Sequence, residues 1–232
     1  MIEVKDVHKS YGPLHVLKGL TLDVFKGETL VILGRSGVGK SVLLRQILGL
    51  ETVDSGVVKI GGKNLAEMDP KERVFWLMRT GMLFQSSALF DSLTVGQNVA
   101  FYLTQHPDPK TGKWLSKKEI AIIVEESLEC VGLAGTAKKM PSDLSGGMRR
   151  RAAMARLIAY SPLILLYDEP TTGLDPVTAM QINELIVEVQ KRLEATSIVV
   201  THDLASAVHV GDRLAFHHDG KIAHIGAKEE FF

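Results

Sequence analysis

The stretch Thr29-Leu30-Val31-Ile32-Leu33-Gly34-Arg35-Ser36-Gly37-Val38-Gly39-Lys40-Ser41 decides how this chain is read. The unbroken apolar run from Leu30 to Leu33 predicts a strand buried on both faces, because a half-exposed strand would alternate. Gly34 to Ser41 then fits G-x-x-x-x-G-K-[ST], and an apolar-periodic helix is expected from Lys40 to about Leu50. Strand, glycine-rich turn and helix together make a phosphate cradle. The glycines let the backbone amides of Arg35, Ser36, Gly37, Val38 and Gly39 converge on a phosphate, and the helix N-terminus adds its positive dipole end. Lys40 is expected to reach the β- and γ-phosphates, and Ser41 to ligate Mg2+. On its own the motif says that a nucleoside triphosphate binds and no more.

Further strands and helices surround it. Val16 to Val24 alternates loosely, as a half-exposed strand does, whereas Leu163 to Tyr167 and Ser197 to Val200 read as buried strands. The first of these buried runs ends in Asp168-Glu169-Pro170, and a strand's carboxyl end is where a phosphate-cradle protein places its Mg2+-organising acid. Asp168 takes that role, and Glu169 can polarise an attacking water as general base. Asp175-Pro176 opens a long helix, as N-cap and first helical residue. Thr94-x-x-Gln97 and Ser116-x-x-Glu119 fit capping boxes, so about 94–159 reads as mainly helical, interrupted by a loop over 106–112. The expected fold is α/β, a P-loop core with a mainly parallel sheet and an inserted helical subdomain. The core takes 1–93 and 160–232 of a single 1–232 domain.

Composition narrows the class. The chain has 232 residues, 45% hydrophobic and 23% charged, which suits an ordinary globular domain. Lys+Arg and Asp+Glu both number 27, a balance unlike that of a protein that grips nucleic-acid backbone, so no nucleic-acid partner is expected. The single cysteine, Cys130, cannot form an internal disulfide and reads as a small buried hydrophobe in a reducing compartment. No apolar run approaches the roughly 18–20 residues of a membrane span, so a cytoplasmic location is expected, with any membrane contact made through a partner.

Leu144-Ser145-Gly146-Gly147-Met148, shortly before Asp168-Glu169, resembles the signature of the ABC ATPase family, and the resemblance covers essentially the whole chain. It implies an N-terminal antiparallel β subdomain beside the core and Mg2+-dependent ATPase activity. Tyr11 matches the aromatic that stacks on adenine. Gln85 matches the glutamine that contacts Mg2+ and water and couples to a transmembrane partner. Leu174-Asp175 looks like the D-loop, and His202 like the histidine that touches the γ-phosphate. Ser145, Gly146 and Gly147 imply a second anion site that closes on the ATP of another subunit, hence an ATP-dependent homodimer with each cradle facing the partner's signature.

Gly81 to Phe90 and Met140 to Arg151 resemble the Mla/Mkl branch, ATPases of bacterial systems that move phospholipids between inner and outer membranes. That implies an MlaE-like permease, a lipid-binding MCE-type protein and a station on the inner face of the cytoplasmic membrane. Ala88, Leu89, Phe90, Val95 and Val99 would then line an apolar cleft for a permease helix. Other importers, of polar amino acids for example, and non-transporting regulatory ABC ATPases are the alternatives. Arg149-Arg150-Arg151 is expected to form a solvated or salt-bridged surface, and Met154 and Met148 to pack under the signature. His217 and His218, adjacent in a strand, should point to opposite faces and so share no metal ion.

Overall fold

Side-chain alternation in three central strands decides what packs on each side of the main sheet. The computed structural model describes residues 1–109 and 111–231; Lys110, within the expected 106–112 loop, lies outside the described residues. In chain order the elements are β1 (Ile2–Tyr11), β2 (Leu14–Val24), β3 (Thr29–Leu33), α1 (Lys40–Ile47), β4 (Ser55–Ile60), β5 (Lys63–Asn64), α2 (Pro70–Leu77), β6 (Thr80–Leu83), α3 (Val95–Gln105), α4 (Lys117–Cys130), α5 (Gly146–Ile158), β7 (Ile164–Asp168), α6 (Pro176–Leu193), β8 (Thr196–Thr201), α7 (Leu204–Val210), β9 (Arg213–His218) and β10 (Lys221–Ala227). Among the described residues the main sheet runs β10-β9-β3-β8-β7-β6, parallel except for the antiparallel edge strand β10.

Val31, Leu165, Tyr167 and Val199 face one cluster, shared with α3, α4, α5 and α6. Their chain neighbours Leu30, Ile32, Ile164, Leu166, Ile198 and Val200 face a second, shared with α1 and a separate sheet. Successive side chains of a strand point to opposite faces, so a strand covered on both sides must be apolar at every position. This is why β3, β7 and β8 read as continuous runs. The second sheet is antiparallel, in the order β2-β1-β4-β5, and buries Ile2, Val4 and Val7 of β1 against Leu20, Leu22 and Val24 of β2.

Both capping boxes form. Thr94 Oγ1 accepts from Gln97 N at 3.2 Å while Gln97 Oε1 accepts from Thr94 N at 2.8 Å, and Ser116 with Glu119 does the same for α4. Asp175 caps α6, accepting from the amides of Val177 and Thr178 at 3.1 and 3.0 Å, with Pro176 in the first helical position.

Four expectations need correction. Val95 and Val99, with Leu103 at the next helical repeat, are fully buried in the first cluster and line no cleft. Residues four apart share a helix face, and in α3 that face packs inward. Cys130 is half-buried rather than buried, because it is the last residue of α4. The arginine triplet is a solvated surface only in part: Arg149 is exposed and donates to Leu144 O at 2.8 Å, Arg151 is half-buried and donates to Val131 O and to Gln181, but Arg150 is 4% exposed and donates to Phe84 O at 2.8 Å. Arg150 departs from the expectation because it sits on the face of α5 that carries the buried residues Gly147, Met154 and Leu157. Finally, α1 stops at Ile47 rather than near Leu50, since Gly49 turns the chain at φ 72°.

Candidate active site

The cradle forms between β3 and α1, as the opening sequence requires. Gly39 stands at φ 104°, and a β-carbon there would lie 2.6 Å from Val16 Cγ1, so only glycine lets the loop close against β2. Lys40 is buried, and its three N–H donors are all engaged. They meet Gly34 O at 2.7 Å, Arg35 O at 2.9 Å and Glu169 Oε1 at 3.2 Å.

The two acids arrive at the end of β7. Ser41 Oγ donates to Asp168 Oδ1 at 2.8 Å. Burial pushes the Asp168 carboxyl above the usual carboxylate range, partly offset by that bond. Glu169 follows at φ 48°, in the left-handed region that a residue with a β-carbon rarely adopts. Four bonds hold it there. Its amide donates to Val200 O at 3.0 Å, its Oε2 meets His202 Nδ1 at 2.8 Å and accepts from Thr172 Oγ1 at 3.1 Å, and its Oε1 pairs with Lys40. Backbone strain of about 1–3 kcal/mol persists only where the surroundings over-determine it, and such residues gather at functional sites.

Lys40, Ser41, Glu169, Thr172 and His202 line one open cavity of about 380 Å3, joined by Tyr11, Ser36, Gly37, Gly39 and Gln85, and Asp168 connects to it through its bond with Ser41. Tyr11 is 44% exposed at its mouth, and its hydroxyl donates to the Glu51 carboxylate. Burial and the Glu51 bond both raise the phenol above its ordinary value. Ser41 and Asp168 present adjacent hard oxygens, the donor type that Mg2+ takes, so the residues fit that ion.

Ser145, Gly146 and Gly147 do not line this cavity. Ser145 caps α5, its hydroxyl accepting from Met148 N at 3.3 Å. Gly147 packs so tightly on α6 that a β-carbon would come within 2.5 Å of Thr178 Cγ2. A second cavity of about 480 Å3, lined in part by Gly173, Leu174, Met180 and Asp203, shares Thr172 and His202 with the first. His217 faces inward and His218 outward, as strand alternation requires.

Three contributors were not expected from the sequence. Thr172 bonds the Glu169 carboxylate, Glu51 holds Tyr11, and Arg150 ties α5 to the carbonyl that precedes Gln85. Thr172 lies only three residues from Glu169 and could have been suspected. Glu51 sits 40 residues from Tyr11 and Arg150 sits 66 from Phe84, and no local pattern marks either pairing.

The chain matches the family described as ABC transporter over residues 17–172. It is 39% identical, over its whole length, to the protein TRIGALACTOSYLDIACYLGLYCEROL 3, chloroplastic, of Arabidopsis thaliana, and covers 70% of that protein. Over 92% of its length it is 41% identical to the probable ribonucleotide transport ATP-binding protein mkl of Mycobacterium leprae, of which it spans 60%. Among solved structures, a dimeric ATP-binding cassette in a post-hydrolysis state with ADP and Pi matches with a TM-score of 0.87 at 32% identity, covering 98% of both chains. The chain therefore belongs to the ABC transporter family, as an ATP-binding cassette of the ATPase class.

Proposed function

We propose that this cassette hydrolyses ATP between two copies of itself and uses the closing and opening of that pair to drive phospholipid movement through a separate permease at the inner face of the cytoplasmic membrane. The observation that carries the mechanism is the separation of the two anion sites. Lys40, Ser41, Glu169 and His202 gather at one cavity, with Asp168 bonded to Ser41, while the signature at Ser145 lies outside it. A triphosphate in the cradle is then left open on the side that another chain's signature can cover, and the adjoining cavity around Leu174 extends that open face.

In this reading Lys40 leaves Glu169 for the β- and γ-phosphates, which frees one carboxylate oxygen to accept a proton from the attacking water. His202 and Thr172 keep that carboxylate aimed, and His202 also reaches the γ-phosphate. Ser41, Asp168 and Gln85 hold Mg2+, which supplies charge neutralisation at the phosphates when bound. Tyr11 stacks on adenine.

The lipid cargo rests on the stretches from Gly81 to Phe90 and from Met140 to Arg151, and it agrees with the glycerolipid in the printed name of the Arabidopsis relative. The mycobacterial relative's printed name specifies ribonucleotide instead, so cargo has to be measured. Purifying the chain with the products of its neighbouring genes and identifying co-purified small molecules by mass spectrometry makes that test. Phospholipid in the complex, with ATPase activity that responds to it, is the expected outcome. Stimulation by a polar amino acid, together with its binding protein in the complex, would replace the lipid reading and leave the cassette assignment intact.

A further inference from the structure

Tyr11 ends β1, and what fixes its ring lies far along the chain. The Glu51 carboxylate accepts the Tyr11 hydroxyl and also the Nε–H of Arg45, at 3.2 Å. Arg45 lies on α1, the helix whose first residue is Lys40. Lys9 Nζ stands 3.8 Å from Glu51 and 5.6 Å from the Tyr11 ring centroid, and it donates to Thr52 O at 2.8 Å and to Asp54 at 3.1 Å. Asp54 in turn accepts the Ser10 amide at 2.7 Å. Glu51 and Asp54 thus hold the β1–β2 turn to the loop that follows α1. Partial burial of Glu51 opposes its ionisation, but the bonds from Tyr11 and Arg45 prevail and keep it below the usual carboxylate range.

We propose that Glu51 is a positioning residue for the nucleotide base: by accepting the Tyr11 hydroxyl while holding Arg45 of α1, it fixes the stacking ring relative to the phosphate cradle. This rests on Tyr11 being the adenine platform. An exposed phenol on a β-hairpin turn has free torsions, and stacking onto a base would otherwise have to order it at a cost in entropy. A tether to the helix that also begins the cradle makes that ordering part of the fold. The inference gives Glu51 a part in ATP recognition although it lines no part of the nucleotide cavity.

The test measures steady-state ATPase kinetics of the full chain, with inorganic tripolyphosphate as a competing probe of the cradle alone. A partly exposed hydrogen bond to a carboxylate corresponds to an affinity change of about three- to tenfold. Glu51→Ala is expected to raise KM for ATP by that factor with kcat little changed, and Tyr11→Phe to do the same. The double variant should be no worse than either single one, Glu51→Gln should recover most of the loss, and inhibition by tripolyphosphate should stay unchanged. If Glu51→Ala costs as much in the Tyr11→Phe background, or weakens tripolyphosphate equally, Glu51 merely supports the loop and the inference falls. Tyr11→Ala separates the two layers. A raised KM for Tyr11→Ala without one for Glu51→Ala removes only the role of Glu51, whereas an unchanged KM for Tyr11→Ala removes the base platform itself.

Discussion

Glu169 is held at φ 48° by bonds to Lys40, Thr172, His202 and Val200, an arrangement suited to a carboxylate that must point at one water rather than sample several. Glu169→Gln should cut turnover by about 10²- to 10⁴-fold while ATP still binds, since cradle and Tyr11 are untouched. Single-turnover hydrolysis beside equilibrium ATP binding checks this, and near-normal turnover would remove Glu169 from the role. Lys40→Ala should instead weaken triphosphate binding. His217 lies one strand away from the cradle, with neither ring nitrogen hydrogen-bonded to another protein group. Burial, then the charges of Lys40 and His218, push it down to about 4 from 6.5. The unfolded chain therefore binds the extra proton first, so the folded state loses stability as pH falls through 6.5 toward 4. His217→Leu should remove about 2 kcal/mol of that loss between pH 7 and pH 5, read from urea unfolding at each pH. Equal pH slopes for the two proteins would mean that His217 titrates normally. That the cradle residues and the acid pair come together was legible from sequence, because a buried strand, a glycine-rich turn and a strand-end acid pair each leave a mark at adjacent positions. Glu51 was not, since its partner is 40 residues away and an isolated glutamate signals nothing.

At the scale of elements, the join between α5 and α6 sets where the signature faces. Gly147 has space for no β-carbon, because Thr178 Cγ2 would stand 2.5 Å away. Thr178 cannot easily rotate, since its hydroxyl donates to Asp175 at 2.6 Å. Gly147→Ala should destabilise the fold by about 1–3 kcal/mol, the usual cost of overpacking. Adding Thr178→Ser, which keeps the hydroxyl and deletes the methyl, should recover most of it. Thermal unfolding of the three variants decides the matter, and equal losses in the single and double variants would show that the glycine is needed for another reason. The strands β3, β7 and β8 and the starts of α3, α4 and α6 were readable because burial on two faces and capping each leave a local trace. The helix α2 was missed although Asp69-Pro70 carries the same start signal as Asp175-Pro176; its lack of buried residues erased the periodicity that would have supported it. Within the arginine triplet only Arg150 misled, because charge in a sequence suggests solvent, whereas Arg150 is enclosed by the packing of α5 near β6.

For the whole molecule, the proposed coupling to a permease needs an exposed apolar contact, and Phe90 supplies one. It is 42% exposed and its ring lies 4.6 Å from that of Phe101, itself 40% exposed, whereas Leu89 packs against the core. Phe90→Asp should therefore weaken permease binding by roughly tenfold or more while sparing ATP affinity, whereas Leu89→Asp would also disturb the fold. Pull-down with the permease beside ATP binding by the same variant measures it, and unchanged permease binding would move the docking site elsewhere.

In the proposed mechanism two copies close around ATP, each completing the other's site. Sedimentation of the Glu169→Gln chain, with and without ATP and Mg2+, tests it most directly. The expected result is a monomer or weak dimer without nucleotide and a stable dimer with it, because ligand that binds only the dimer drives assembly by mass action. Ser145→Arg added to that variant should hold it monomeric while ATP still occupies one cradle. A tight dimer that forms without nucleotide, or a chain that stays monomeric when saturated with ATP, would rule out closure of two copies around ATP.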